Sequence, residues 1–231
     1  MEMPKKQHGF TLIEIAIVLV IIGLLLGSVL KGQELITAAR VRNLIAQQDD
    51  IKAAYFGFLD RYRLLPGDYD AATTNIRGIS TAACNGGNGN ANGQIELTAP
   101  ANEMVLVWEH LSKAGFISRT YTCSTTETTA TTPVNPYFMF LRLAYDTGFS
   151  GAGPTARHNL KTGNQMPSEL LGEVDRKVDD DNPESGTFRF SAVSVTGTAP
   201  VAADCYSGAG ASARWRVATA PGPNCGAASL F

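Results

Sequence analysis

The sequence predicts an α+β protein in which one long N-terminal helix serves first as a membrane anchor and then as scaffold for an antiparallel-sheet head with long loops. Three observations predict it. Residues Phe10 to Leu30 hold a single ionisable side chain, Glu14, among 21. A helical pattern then continues to Tyr62 with its apolar positions on one face, and beyond Pro66 the chain turns to loop-rich segments with period-two alternation. The 231 residues allow one to two domains, and 44% hydrophobic with 17% charged residues exclude both a disordered chain and an all-membrane protein. The net charge of −2 supplies no polycationic surface, so nucleic acid is not expected as the main partner.

The anchor comes first. At 1.5 Å per residue, 21 helical residues reach about 31 Å, the thickness of a bilayer's hydrocarbon core. Lys5 and Lys6 flank its N-terminal side, which keeps that end in the cytoplasm and sends the head across the membrane. A cleaved secretory signal with a site near Gly27-Ser28 is the competing reading, but its apolar core is about 7 to 15 residues, shorter than this run. Glu14, five residues into the apolar segment, costs about 2.5–3.5 kcal/mol if left unpaired in lipid and so calls for a partner or for snorkelling to the interface. Gly23 and Gly27 form a small-xxx-small pair that permits close helix approach.

The string Gly9-Phe10-Thr11-Leu12-Ile13-Glu14, behind a short basic leader and ahead of the apolar run, resembles the processing site of type IV pilins and of the related pseudopilins of type II secretion systems. The resemblance implies a pilin-like fold. It also implies that prepilin peptidase removes residues 1–9, cutting between Gly9 and Phe10 and N-methylating Phe10. The glutamate matching Glu14 pairs in that family with the terminal amine of a neighbouring subunit, so Glu14 is the expected assembly residue. The partners implied are other pilin or pseudopilin subunits, prepilin peptidase, an inner-membrane assembly platform and the membrane. Many major pilins carry a kinking Pro near the end of the apolar segment, where this chain has Lys31-Gly32.

The organisation that follows is a leader over 1–9, a transmembrane part over 10–30, an amphipathic spine over 31–65 and a globular head over 66–231, periplasmic or extracellular. The spine places Val41, Leu44, Gln48, Ile51, Tyr55, Phe58 and Tyr62 at steps of three and four, opposite Arg40, Arg42, Asp49, Asp50 and Lys52. Leu65-Pro66-Gly67-Asp68 stops it. In the head, residues 85–93 read as a low-complexity solvated loop and 120–136 as an exposed Thr-rich connection. Asn102 is placed to cap a helix with Met104, Val107, Trp108 and Leu111 on its apolar stripe, closed by Gly115. Strands are expected at Tyr137–Leu143, around Phe188 and Phe190, and around Trp215 and Val217. A further helix, capped by Ser168, turns Leu171, Val174 and Val178 inward.

Cys84, Cys123, Cys205 and Cys225 fall in the exported part, where disulfides persist, and four cysteines allow three pairings. The C-terminal disulfide of many type IV pilins favours Cys205 with Cys225, leaving Cys84 with Cys123. No Cys-x-x-Cys spacing supports zinc. The acidic turn Asp179, Asp180, Asp181 and Asn182 offers hard oxygens for calcium without the EF-hand spacing, and the calcium loop of major pseudopilins is the family precedent. Otherwise it is a solvated acidic turn, and no other cofactor is expected. No Gly-x-Ser-x-Gly elbow, phosphate-binding Gly-rich loop or His-Glu-x-x-His pair appears, so an enzyme is not expected. The expected function is a structural subunit, a minor pilin, of a type IV pilus or similar filament. The alternatives are a type II secretion pseudopilin and a tip pilin that captures a surface or DNA through Arg157, Lys161, Arg214 and Arg216.

Overall fold

A computed structural model describes residues 11–98, 101–217 and 221–231. The helices are α1 (Leu12–Tyr62), α2 (Ala72–Asn75), α3 (Glu103–Lys113), α4 (Ser168–Val178) and α5 (Ala202–Cys205). The strands are β1 (Leu97–Thr98), β2 (Ala101–Asn102), β3 (Arg142–Asp146), β4 (Arg157–Lys161), β5 (Phe188–Phe190), β6 (Tyr206–Ser207), β7 (Arg214–Trp215) and β8 (Ala227–Leu230). The chain divides into two compact units, Met1–Arg40 and Val41–Phe231.

In the first unit, α1 is long and apolar enough to cross a membrane. Its large side chains from Leu12 to Leu30 are exposed, as lipid contact requires. The Ser28 hydroxyl donates to the Leu24 carbonyl at 2.8 Å, which satisfies the hydroxyl near the end of the apolar stretch within the helix itself. Lys31 and Glu34 pair at 2.7 Å where the charged residues resume.

In the second unit, α1 buries Val41, Leu44, Gln48, Ile51, Ala54, Tyr55 and Phe58, the face that the three-and-four spacing marks. Along it lie two cores. Ile51, Tyr55 and Phe58 pack with Val107, Trp108 and Leu111 of α3 and with Leu143 and Leu160 of the sheet. Val41 and Leu44 pack with Leu170, Leu171 and Val174 of α4, Phe188 and Phe190 of β5, Trp215 and the Cys205–Cys225 pair. The helix ends where Arg63 turns left-handed at φ 61°. At Gly67, φ is +90°, and a Cβ there would lie 2.7 Å from the Glu103 carbonyl oxygen, so only glycine fits the turn that brings the chain back over α3.

The main sheet is four-stranded and antiparallel in the order β3-β4-β8-β5. Its central strand β8 is the last in the chain, and all four of its residues are buried. Neither β4 nor β8 is among the strands expected from alternation. The expected strand at Tyr137–Leu143 begins only at Arg142, because Asn135 folds the preceding residues into a turn. Its side-chain oxygen accepts the Tyr137 and Met139 N–H groups at 2.8 and 3.0 Å. Trp215 sits in a two-residue strand paired with β6 outside the main sheet, and Val217 follows it half-exposed outside any strand.

Two expected caps differ. Asn102 precedes α3 but its side chain makes no cap bond. The helix closes as expected at Gly115, with Phe116 N–H to the Leu111 carbonyl at 2.9 Å and Gly115 N–H to Ser112 at 3.2 Å, a Schellman ending. Ser168 is the first helical residue rather than the cap, since Pro167 occupies that position. The Ser168 hydroxyl instead joins the Arg216 carbonyl and the Gly222 N–H, tying α4 to the C-terminal segment. On α4 the inward residues are Leu170, Leu171, Gly172, Val174 and Asp175, whereas Val178 is 44% exposed. The cysteines join as Cys84–Cys123 and Cys205–Cys225, each bridge of a kind that contributes about 2–4 kcal/mol.

Phe138, at the tip of the Asn135 turn, has φ 64° and is 79% exposed. A β-carbon in the left-handed region costs about 1–2 kcal/mol, and little burial offsets it here. Phe138→Gly is therefore expected to stabilise the head by about 0.5–1 kcal/mol after glycine's own entropic cost, read as a rise in the thermal midpoint of about 1–4 °C.

Candidate functional site

The N-terminal site is built on the first turn of α1. The Thr11 N–H and the Thr11 hydroxyl both donate to Glu14 Oε2 at 2.7 Å, and the Glu14 N–H reaches back to Thr11 Oγ1 at 3.3 Å. Thr-Leu-Ile-Glu is thus a capping box, which satisfies orphan N–H groups that lipid would leave bare. The sequence carries this signal as a Thr followed three residues later by a Glu, just before an apolar run, beside the intermolecular role that the resemblance implies for Glu14. Both bonds converge on one carboxylate oxygen, so the same side chain can hold the helix start and still present Oε1 to a cation. The leader and the Gly9-Phe10 bond lie outside the described residues.

A second polar site underlies the loop over residues 85–93, which is not the solvated connector its composition suggests. Four buried side chains hold it and the chain around it. Asp68 accepts the N–H groups of Asn92 and Gly93 at 2.9 and 2.8 Å. Glu103 accepts those of Asn90 at 3.0 Å and Glu96 at 3.3 Å, while Glu109 accepts those of Ser80 and Cys123 at 2.8 Å each. His110 Nδ1 accepts the Gly67 N–H at 2.9 Å, which leaves Nε2 as donor to the Gly87 carbonyl at 3.0 Å. Burial pushes the His110 imidazolium down to about 4 and the Glu103 carboxyl up to about 7. These groups do structural work: they satisfy the backbone of a glycine-rich segment too poor in side chains to pack by itself. The Thr-rich connection is likewise only partly exposed, with Thr131, Thr132 and Asn135 buried.

The acidic turn forms the third site. Asp179 Oδ2 accepts the N–H groups of Thr187 and Phe188, the latter at 2.8 Å. Asp180 accepts the Asn182 N–H at 3.0 Å and the Ser185 hydroxyl at 2.5 Å. Asp181 turns to Arg176 at 3.4 Å, and Asn182 joins Glu184 N–H and the Gly210 carbonyl. The residues whose ligand oxygens converge, within 4.8 Å of one another, are Asp179, Asp180 and Asp175 of α4. Asp175 belongs to the acidic stretch Glu173–Pro183 that the sequence marks, but the expected ligand set of Asp179, Asp180, Asp181 and Asn182 leaves it out. It is fully buried, its Oδ2 accepts the Trp215 indole N–H at 2.6 Å, and its Oδ1 has no partner. Three carboxylates with one unsatisfied buried oxygen fit part of a hard divalent cation's shell, with water and carbonyls left to complete six to eight ligands. Of the basic residues named for the alternative tip pilin, Lys161 is buried and paired with Asp146 at 2.7 Å.

Burial raises the Asp175 carboxyl from 3.8 to about 7, helped by the charges of Asp179, Asp180 and Asp181 and opposed by the Trp215 bond. The folded chain therefore holds this proton more tightly than the unfolded one. Its stability is complete below the unfolded value and is lost as pH rises towards 7. In the presence of chelator, raising pH from 4 to 8 is expected to cost the wild type about 1–3 kcal/mol more than Asp175→Asn, measured by denaturant unfolding at each pH. Calcium added at pH 8 is expected to restore the wild type and leave Asp175→Asn unchanged.

Residues 4–30 match the prokaryotic N-terminal methylation motif. No curated protein and no solved structure matches the chain. The match covers Lys5 and Lys6, Gly9-Phe10, the Thr11–Glu14 capping box and the apolar run. The chain carries the prepilin-type N-terminal methylation signal of type IV pilins and pseudopilins, ahead of an α+β head.

Proposed function

We propose that this chain is a structural subunit, a minor pilin, of a type IV pilus or pilus-like filament. It is made with a basic leader, cut between Gly9 and Phe10, N-methylated at Phe10, and anchored with its head on the far side of the inner membrane until it is drawn into the filament. The observation that carries the reading is the methylation motif over residues 4–30, set on a helix whose apolar side chains are exposed from Leu12 to Leu30. Cleavage creates a cationic α-amine four residues from Glu14, the one carboxylate of the apolar segment. A neighbouring subunit's amine would meet Glu14 Oε1 while Oε2 keeps its bonds to Thr11. A desolvated pair of that kind sets register more than it adds net stability. The chain's part is then to be processed and to assemble, its partners being other subunits, prepilin peptidase and the assembly platform.

The pseudopilin of a type II secretion system is the second reading, and the Asp175, Asp179 and Asp180 cluster favours it through the calcium it would take. Calcium-dependent folding of the head points to the secretion machine, and long surface fibres containing the protein point to the pilus.

Mass spectrometry of the N-terminal peptide, from membranes and from sheared surface material, tests the reading in cells with and without prepilin peptidase. The expected peptide starts at methylated Phe10 and depends on the peptidase. An N-terminus at Met1, or after Gly27-Ser28, in both strains overturns it. Glu14→Leu is expected to leave cleavage intact while reducing incorporation into filaments at least about tenfold, the equivalent of about 1.4 kcal/mol in the subunit–subunit contact.

A further inference from the structure

Strands β3 and β4 bring Asp146, Asn159 and Lys161 to one face of the sheet, where their polar atoms converge. Lys161 Nζ lies 2.6 Å from Asn159 Oδ1 and 2.7 and 2.8 Å from the two Asp146 oxygens. Asn159 Nδ2 in turn donates to Asp146 Oδ1 at 3.1 Å. The carboxylate therefore bridges an amine and a carboxamide whose carbonyl carbon stands one bond behind the oxygen the amine already touches. Asn159 is fully buried and Lys161 is 1% exposed. Gly148 closes the site from above: its N–H donates to Asp146 Oδ1 at 2.8 Å, and a Cβ there would lie 3.1 Å from both Asp146 Oδ1 and Lys161 Cε. Asp146 itself is one-third exposed, so the only wet edge of the cluster is at the carboxylate.

We propose that Lys161 and Asn159 join in an intramolecular amide, with Asp146 as the proton carrier. The three elements of such a reaction are present: a nucleophile, an acyl group held against it, and a base that touches both. The amine is fixed by burial; desolvation together with the nearby Arg142 charge lowers its hold on a proton against the pull of Asp146, while at Asp146 burial is outweighed by the Lys161 charge and hydrogen bonds, so the ion pair is the resting form and the neutral amine the reacting one. In the reaction, Lys161 Nζ gives a proton to Asp146, and its lone pair attacks Asn159 Cγ. Asp146 passes that proton to Nδ2 and takes a second from Nζ as the Cγ–Nδ2 bond breaks. Ammonia leaves past the exposed carboxylate and carries the remaining proton into water. One C–N bond forms, one breaks, nothing is oxidised, and no co-reactant is consumed. The new amide N–H can then donate to Asp146, replacing a buried cation by a neutral group. The i, i+2 spacing on one strand face lets the lysine stem close the ring without moving the backbone.

The test uses the full chain purified from membranes, reduced, alkylated and digested with trypsin. Trypsin does not cut after an acylated lysine. The expected product is a peptide over residues 158–176, uncut at Lys161 and lighter than its sequence by one ammonia, about 17 Da. Release of residues 158–161 at their unmodified mass overturns the proposal. The peptide map separates this from ring closure at the Asn-Gly sites of the 85–93 loop, which would also lose ammonia but on other peptides. Asp146→Ala is expected to restore cleavage at Lys161 in the digest, and persistence of the cross-link in that variant overturns the role of the carboxylate. Should that variant fail to accumulate, the wild-type digest decides alone.

Discussion

The head is organised by one buried helix face. Val41, Leu44, Ile51, Tyr55 and Phe58 lie along a single stripe, and the two larger cores of the second unit are each built on part of it. Fully burying each such side chain contributes about 1.5–3 kcal/mol, so the stripe as a whole outweighs any single polar contact in the head. It also fixes what the other elements can do. A short helix with a broad apolar surface, α3 or α4, must lie against it, and the sheet must cover what remains. Gln48, buried near the middle of the stripe with its Nε2 unpartnered, marks where one core gives way to the other.

Much of this was legible because it is periodic. The face of α1 repeats at three and four over many turns, and the Pro66-Gly67 stop is local chemistry. The methylation motif was equally legible, since it is a contiguous string, Gly9-Phe10-Thr11-Leu12-Ile13-Glu14 ahead of an apolar run. What escaped was set by tertiary burial. Strand β4 reads Arg-His-Asn-Leu-Lys, with no apolar alternation, because it buries an ion-paired lysine and its asparagine neighbour. Strand β8 reads Ala-Ala-Ser-Leu and is covered on both faces, so period two has nothing to contrast. Asp175 stood in the legible acidic stretch, but its burial and its bond to Trp215 come from the packing of α4, which the sequence does not record.

The polar interior shows how a head rich in glycine and small residues holds together. Asp68, Glu103, Glu109 and His110 are buried where an ordinary core would be apolar, and each spends its hydrogen-bonding capacity on loop backbone. Desolvating them is costly, as the raised carboxyls of Asp68 and Glu103 and the lowered imidazolium of His110 record. In return, the buried N–H groups of the loop find acceptors, and the Cys84–Cys123 bridge closes over the opposite side of α3. The same use of a carboxylate recurs at Glu14 near the other end of the chain, where it accepts the Thr11 N–H and hydroxyl at the helix start.

The placement of β8 decides how the sheet holds together. As the last strand in chain order it bonds to both β4 and β5, so the sheet before it exists only as separate pieces, the β3–β4 hairpin and an unpaired β5. Pairing of β8 with β4 and β5 joins segments far apart in the chain, so the sheet is held by non-local contacts that local propensity cannot supply. Unzipping β8 would therefore divide the sheet in two instead of trimming an edge, which makes this short, small-residue strand the keystone of the head.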